Sequence, residues 1–260
     1  MKSGGEPPRI FTPEYYDRMR ELESGSWWNA GMRDIADMLL ARVSLDRTGL
    51  LLDAGCGSGQ SMQWFLRGRP GWSAVGVDVA REGLKSARAA GHAVCLASVL
   101  ELPFARGSVD CVLTLDVLQH LPLVGGDSRA LAEFARVLRP EGVLLIRTNS
   151  QSFPRTADDP ASSFRKYELR PLREKLSGAG FEVIQSGRAN TFPGLAEIPR
   201  ELFARRGHAS GYHGLLSQPR QENSLPHAAK RAWLRLEGRA LANGWQMPWG
   251  RTIFALCRKC

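Results

Sequence analysis

From residue 49 onward, short apolar runs recur along the chain with more polar segments between them. The runs GLLLDAG at 49–55, SAVGVDV at 73–79, AVCLAS at 93–98, VDCVLTLD at 109–116 and GVLLIRTN at 142–149 are mostly continuous rather than alternating, as strands covered on both faces tend to be. The stretches 59–69, 81–90 and 127–138 predict helices between them. A strand-and-helix alternation of this kind implies an α/β fold with a doubly wound, mostly parallel sheet. A further helix at 168–178, ended by Gly178 and Gly180, then precedes a strand FEVIQSGRA at 181–189, and RTIFALCRK at 251–259 supplies the last strand.

The flanks read differently. Residues 1–45 form a helical preface, in which Thr12 caps a helix with Pro13 at its first position and aromatic and apolar residues recur through Met38 and Leu40. After Asn149 the polar stretch QSFPRTADDPASSFRKY is rich in turn formers and has the character of a surface loop or lid. The segment 190–250 is an insertion bearing Arg and His, with an amphipathic helix at 227–242 stopped by Asn243 and Gly244. The expected organisation is a helical cap at 1–45, a core at 46–189 with 251–260, and the insertion at 190–250.

Composition narrows the picture without deciding it. The 260 residues, 43% hydrophobic, are enough for one sizeable core with an appendage. No run of about 18 apolar residues occurs and the start MKSGGEPPRIF lacks an apolar h-region, so the cytoplasm is the expected location. Five scattered cysteines, an odd number, argue for reduced thiols rather than a disulfide framework, and no metal site is expected. His208, His213 and His227 have no metal-ligand spacing. The net charge of +9 rests on 29 Arg against 6 Lys spread along the chain, a pattern that favours solvated faces over a nucleic-acid groove. Arg200, Arg205, Arg206, Lys230, Arg231, Arg235 and Arg239 nonetheless mark the insertion as a candidate face for an anionic or peripheral membrane surface.

Candidate chemistry begins at Asp53-Ala54-Gly55-Cys56-Gly57-Ser58-Gly59, where three glycines on alternate positions let backbone approach a ligand as a strand turns into a helix. A plain tight turn has the same glycines. The flanking residues separate the two readings: D-x-G-C-G-S-G resembles the first motif of class I S-adenosylmethionine-dependent methyltransferases, of the methyltransferase domain 11-like branch. The resemblance implies a Rossmann-like sheet with an antiparallel last strand. It also implies a donor site made by Asp53, Gly55, Cys56, Gly57 and Ser58. VGVD puts Asp78, with Val79 beside it, where the family's second strand ends in an acidic residue that binds both ribose hydroxyls; a helix cap is the other reading of Asp78. LASVLELPF resembles the third-strand motif, with Ser98 in place of the usual acidic residue and Val99 next to it. SVDCVLTLDVLQHL resembles the fourth-strand motif, so Leu115 and Asp116 are expected near the methionine end. ALAEFARVLRPEGVLLI and QMPWGRTIFALCRK resemble the following helix and strand and the closing strand. Glu23, Trp27-Trp28 and Arg33 resemble an N-terminal signature in which aromatics and an Arg approach the donor, with Asn29 replacing a third aromatic.

On this resemblance the reaction is methyl transfer from S-adenosylmethionine, leaving S-adenosylhomocysteine, to a small-molecule acceptor. Such a displacement asks mainly for alignment and exclusion of water. His120, four residues beyond Asp116, is the candidate general base, with a packing or capping role as the alternative. Tyr16, Trp27, His120, Phe153, Arg165 and Tyr167 are the candidate substrate contacts. A nicotinamide oxidoreductase is disfavoured because the glycines read G-x-G-x-G and no Tyr-x-x-x-Lys pair occurs. Two readings stay open beside the leading one: a binding protein that keeps the fold without catalysis, and a methyltransferase acting on RNA or on a lipid-linked or polymeric acceptor.

Overall fold

The computed structural model describes residues 26–151, 165–192 and 225–260. In chain order these form α1 (Trp27–Leu40), β1 (Gly49–Ala54), α2 (Gln60–Arg67), β2 (Trp72–Asp78), α3 (Arg81–Ala89), β3 (Ala93–Leu96) and β4 (Val109–Leu115). A 3-10 turn at Leu118–His120 is followed by α4 (Gly126–Val137), β5 (Leu138–Asn149), α5 (Leu169–Gly178), β6 (Phe181–Ala189), α6 (Leu225–Ala242) and β7 (Thr252–Lys259). The strands lie in one sheet of order β3-β2-β1-β4-β5-β7-β6. β1 to β5 pair parallel, whereas β7 runs antiparallel to both β5 and β6, as expected.

The continuous apolar runs have the meaning their pattern predicts. Leu51, Leu113 and Leu145 face one core with Phe65, Trp72 and α1, while their strand neighbours Leu52, Val112, Leu144 and Ile146 face a second core with Phe134, Leu172 and Phe181. Each central strand therefore buries both of its faces, which holds the sheet's carboxyl edge rigidly in place beneath the loops.

Two details depart from the expected elements. β5 begins at Leu138 rather than at 142, because Val109 pairs with Leu138 across a register shift ahead of Cys111–Val143. Arg139, in this early segment, bridges Asp46 at 2.6 Å and Asp110 at 2.5 Å and so pins it to the start of β1 and β4. The reading of the cysteines as scattered overlooks one C-x-x-C spacing, Cys257 to Cys260, but Cys257 is buried in β7 while Cys260 lies exposed just past it, and both are free thiols.

The described helices of the preface and of the insertion share one layer. α1 and α6 pack together on the first core, and a Cβ on Gly31 would lie 2.4 Å from Leu234 Cδ1, so only glycine admits this approach. Asp34 of α1 ties the pair at the surface, accepting from Arg231 Nε at 2.9 Å and Arg235 Nε at 2.8 Å. Where β6 ends, the buried carboxylate of Glu237 on α6 accepts the backbone N–H groups of Asn190 at 2.6 Å and Thr191 at 3.0 Å, together with the Thr191 hydroxyl and the Trp233 indole N–H.

A buried carboxylate serving several donors costs heavily to remove, because each donor is then stranded without water. Glu237→Ala is expected to lower unfolding free energy by about 3 kcal/mol, read from urea denaturation, with Glu237→Gln losing less; an unchanged midpoint for the alanine variant would contradict this role.

Candidate functional site

The sheet order places β1 beside β4, and the loops leaving these two strands meet at the carboxyl edge, the usual crevice of an open α/β sheet. Gly55 (φ 90°), Gly57 (φ 50°) and Gly59 (φ 83°) all take left-handed backbone there. Gly55 also needs its missing side chain for space, since a Cβ would stand 2.2 Å from Val117 Cγ2 in the loop after β4. The turn is held by backbone: Gly55 and Cys56 N–H both donate to Val77 carbonyl at 2.8 and 2.9 Å, and Gly59 N–H donates to Cys56 carbonyl at 2.8 Å. α2 starts directly after Gly59, so its first N–H groups and the positive end of its dipole face the crevice.

Asp78 closes this turn from β2. Its Oδ2 accepts Gly57 N–H at 2.9 Å and its Oδ1 accepts Ala80 N–H at 2.8 Å. The carboxylate thus orders the glycine loop and the turn that enters α3 at once; it is not the N-cap of that helix, a position held by Ala80. Each oxygen has one such bond, which leaves acceptor capacity on both. Val79, next along, is 63% exposed, an apolar side chain presented at the crevice wall. Asp53 is buried beneath the loop, and Ser58 is half-buried. Cys56 is buried as well, and that burial, with Asp53 and Asp78 nearby, pushes its thiol far above the ordinary range, so it stays protonated and unreactive.

Past β3, Ser98 opens a tight turn in which its Oγ accepts Leu100 N–H at 3.1 Å and its carbonyl accepts Glu101 N–H at 3.1 Å. The hydroxyl that replaces the expected carboxylate is therefore already engaged with its own turn. Val99 is buried beside it.

The loop after β4 carries the polar wall. Leu115 is half-buried, and Asp116 follows with φ 60°. Its Oδ2 accepts Arg147 Nε at 3.0 Å and Nη2 at 2.6 Å, and the Arg147 guanidinium sits 5.0 Å from the centroid of Trp28. Sequence reasoning missed Arg147; the signal was there, the one charged residue in the run GVLLIRTN at 142–149. It missed Gln60 too, whose Oε1 accepts from Arg33 Nη2 at 3.1 Å in the first turn of α2. α1 thereby reaches both loops, through Arg33 to the glycine turn and through Trp28 to the Asp116–Arg147 pair.

Trp27 goes elsewhere. Successive helix residues diverge by about 100°, so with Trp28 over Arg147, Trp27 is buried against α6, where it stacks on His227 at 6.3 Å and lies under Lys230 at 5.0 Å. The structure does not bring it together with the other candidate substrate contacts. Tyr16 and Phe153 lie outside the described residues.

His120 ends the 3-10 turn after β4 and is half-buried. Burial lowers its pKa below the ordinary imidazole value, against the opposite pull of Asp116 and Asp78. The turn is strapped from behind by 165–167: Tyr167 Oη donates to Leu118 carbonyl at 3.2 Å, Arg165 N–H to Gln119 carbonyl at 3.0 Å, and Arg165 Nη2 to Pro122 carbonyl at 2.8 Å and to Leu123 carbonyl. Arg165 also pairs with the buried Asp127, which accepts Lys175 Nζ at 2.8 Å. Burial alone would raise the Asp127 pKa, but the hydrogen bonds from Lys175 and Arg165 hold it below the usual carboxylate value. Burial pushes the Tyr167 phenol up to about 12, so it remains a donor across the neutral range. Arg165 and Tyr167, expected as substrate contacts, spend these polar groups on the backbone that carries His120.

Comparison with known proteins agrees with this geometry. Residues 52–146 match a family described as a methyltransferase domain. Trans-aconitate 2-methyltransferase of Azoarcus sp. (strain BH72) is 35% identical over 142 residues, 54% of this chain and 53% of that protein, so the match spans about half of that relative's length. A methyltransferase-type protein of Encephalitozoon cuniculi is 32% identical over 162 residues, covering 54% of this chain and 74% of the relative. Among solved structures, phosphoethanolamine N-methyltransferase 2 of Haemonchus contortus, in complex with S-adenosyl-L-methionine, superposes with a TM-score of 0.62 at 16% identity, covering 100% of this chain and 61% of that one.

Gly55 combines a left-handed backbone with a forbidden Cβ position. Gly55→Ala is expected to cost about 2–4 kcal/mol of stability from backbone strain and displacement of Val117. Denaturant unfolding measures this, and a loss under about 0.5 kcal/mol would show that the two loops yield freely.

Proposed function

The chain belongs to the class I S-adenosylmethionine-dependent methyltransferases, and from that premise we propose that it transfers a methyl group from S-adenosylmethionine to a small-molecule acceptor by in-line displacement. When bound, the donor supplies an electrophilic methyl on a sulfonium sulfur. The residues at the crevice fit such a ligand by their chemistry. Asp78 offers two carboxylate oxygens with acceptor capacity remaining, suited to a vicinal diol. The start of α2, with Ser58 just before it, suits a carboxylate, and exposed Val79 suits the face of a flat ring. The Asp78 arrangement is the observation that carries the reading: a carboxylate at the end of β2 that orders the glycine loop while keeping a lone-pair face on each oxygen.

His120 is the residue we assign to proton removal from the acceptor. Its depressed pKa keeps the imidazole neutral at neutral pH, able to accept a proton from a hydroxyl or ammonium group. The strap from Arg165 and Tyr167 fixes the turn that bears it, so we assign those two residues to positioning. Asp116, Arg147 and Trp28 form a compact charged and aromatic wall near the same loop, a lining suited to a small polar acceptor. The name of the Azoarcus relative, which refers to trans-aconitate, favours a small molecule as well.

Calorimetric titration with S-adenosylmethionine, S-adenosylhomocysteine and NAD tests the donor site: saturable binding of the first two alone is expected. Asp78→Ala should weaken donor binding about a hundredfold or more, whereas His120→Ala should leave donor affinity within about twofold and slow turnover by about 10²–10⁴. Undiminished affinity in a folded Asp78 variant would remove that residue from the site.

A lowered pKa means that His120 loses its proton at a more acidic pH than a free imidazole. Turnover should therefore rise with pH along a limb whose midpoint lies below about 6.5, and this limb should vanish in His120→Ala. A wild-type limb centred above that value, or one that survives the substitution, would count against His120 as the base.

A further inference from the structure

α6 carries a second surface that the crevice does not use. Its inner side, with Leu234, Glu237 and Leu241, is buried, but Trp233 and Leu236 on the outer side are 42% and 53% exposed. Phe192, just past β6, is 61% exposed and its ring centroid lies 5.6 Å from that of Trp233. The Trp233 indole N–H is turned inward, donating to Glu237 Oε1 at 2.5 Å and Thr191 Oγ1 at 3.3 Å. The polar edge of the ring is thus fixed, and the pair forms a pre-ordered apolar ridge with Leu236 one helical turn on.

Among the described residues, the charged side chains that α6 itself exposes are cationic. α6 contributes Lys230, Arg231, Arg235 and Arg239, while its single carboxylate, Glu237, is buried. Asp34 holds Arg231 and Arg235 in place but offsets only one of their two charges. An exposed apolar ridge beside cations on one helix is the arrangement by which a helix lies in the plane of a membrane interface.

We propose that the outer face of α6, with Phe192, is a docking surface for an anionic phospholipid bilayer, with the ridge entering the headgroup boundary and Arg235 and Arg239 meeting the lipid phosphates. Charge complementarity selects this occupant. A second copy of the chain docking by two-fold symmetry would set these cations against each other, whereas an anionic surface satisfies them while covering the ridge. The assignment is independent of the acceptor's identity.

Cosedimentation of the full chain with extruded vesicles tests it. The wild type should pellet with phosphatidylcholine vesicles containing phosphatidylglycerol and remain in solution with phosphatidylcholine alone. Phe192→Ser with Leu236→Ser should weaken partitioning about tenfold or more, and Arg239→Gln about fivefold, with circular dichroism and donor binding unchanged. Failure of the wild type to pellet with anionic vesicles, or equal pelleting with neutral ones, would overturn the proposal. So would a concentration-dependent dimer in sedimentation equilibrium that the double serine variant abolishes, or retention by an RNA oligonucleotide without any by vesicles.

Discussion

The contact of Gly55 with Val117 sets the distance between the two loops from which the crevice is made. A strand that turned into its helix with any other residue at 55 would need the β4 loop to retreat, because the space a Cβ requires is filled by Val117 Cγ2. With glycine there, the β1 and β4 loops close against each other. Asp78 then completes the turn from the third side by accepting Gly57 N–H and Ala80 N–H. A backbone arrangement fixed by three neighbouring strands, of which β1 and β4 are buried on both faces, has little freedom to rearrange when a ligand arrives, which is the condition for alignment to lower a barrier.

The outer shell is tied to this frame by arginines rather than by apolar packing alone. Arg147 meets Asp116 through two nitrogens while its plane lies over Trp28, and Arg165 distributes its donors over two loop carbonyls and a carboxylate. A lysine has the charge but not the planar fork that makes several fixed contacts at once. The cationic composition that suggested solvated faces is thus partly structural: some of these arginines are largely buried fasteners of the loops around the crevice.

Those fasteners also mark where the sequence stopped being legible. The strands and the glycine turn were readable because burial on both faces imposes continuous apolar runs, and because a left-handed turn against another loop demands glycine. Asp78 was readable from its place at the end of a strand. The phase of α1 was not: whether Trp27 or Trp28 faces the crevice depends on α6, which packs from about 200 residues away and takes Trp27 for itself. Arg165 and Tyr167 were recognised as notable, yet their bonds run to the carbonyls of residues 118–123, and carbonyl partners leave no trace in side-chain identity. The early start of β5 depends on Arg139 bridging Asp46 and Asp110, a contact between three separate segments that no local pattern encodes.

The surroundings of His120 link these remote contacts to the proposed chemistry. Two carboxylates, Asp116 and Asp78, draw a proton toward the imidazole, and burial opposes them and prevails. Asp116 is itself paired, with Arg147 Nη2 against one of its oxygens at 2.6 Å, so its charge is shared with a cation. Asp78 is engaged by two backbone N–H groups that disperse its charge in the same way. An unpaired carboxylate draws a proton toward a neighbouring imidazole more strongly than a paired one, so the Asp116–Arg147 ion pair favours the neutral ring that the proposed base requires. Arg147, more than twenty positions from His120 along the chain, thus bears on the proposed base through Asp116 while its guanidinium also lies 5.0 Å from the ring centroid of Trp28.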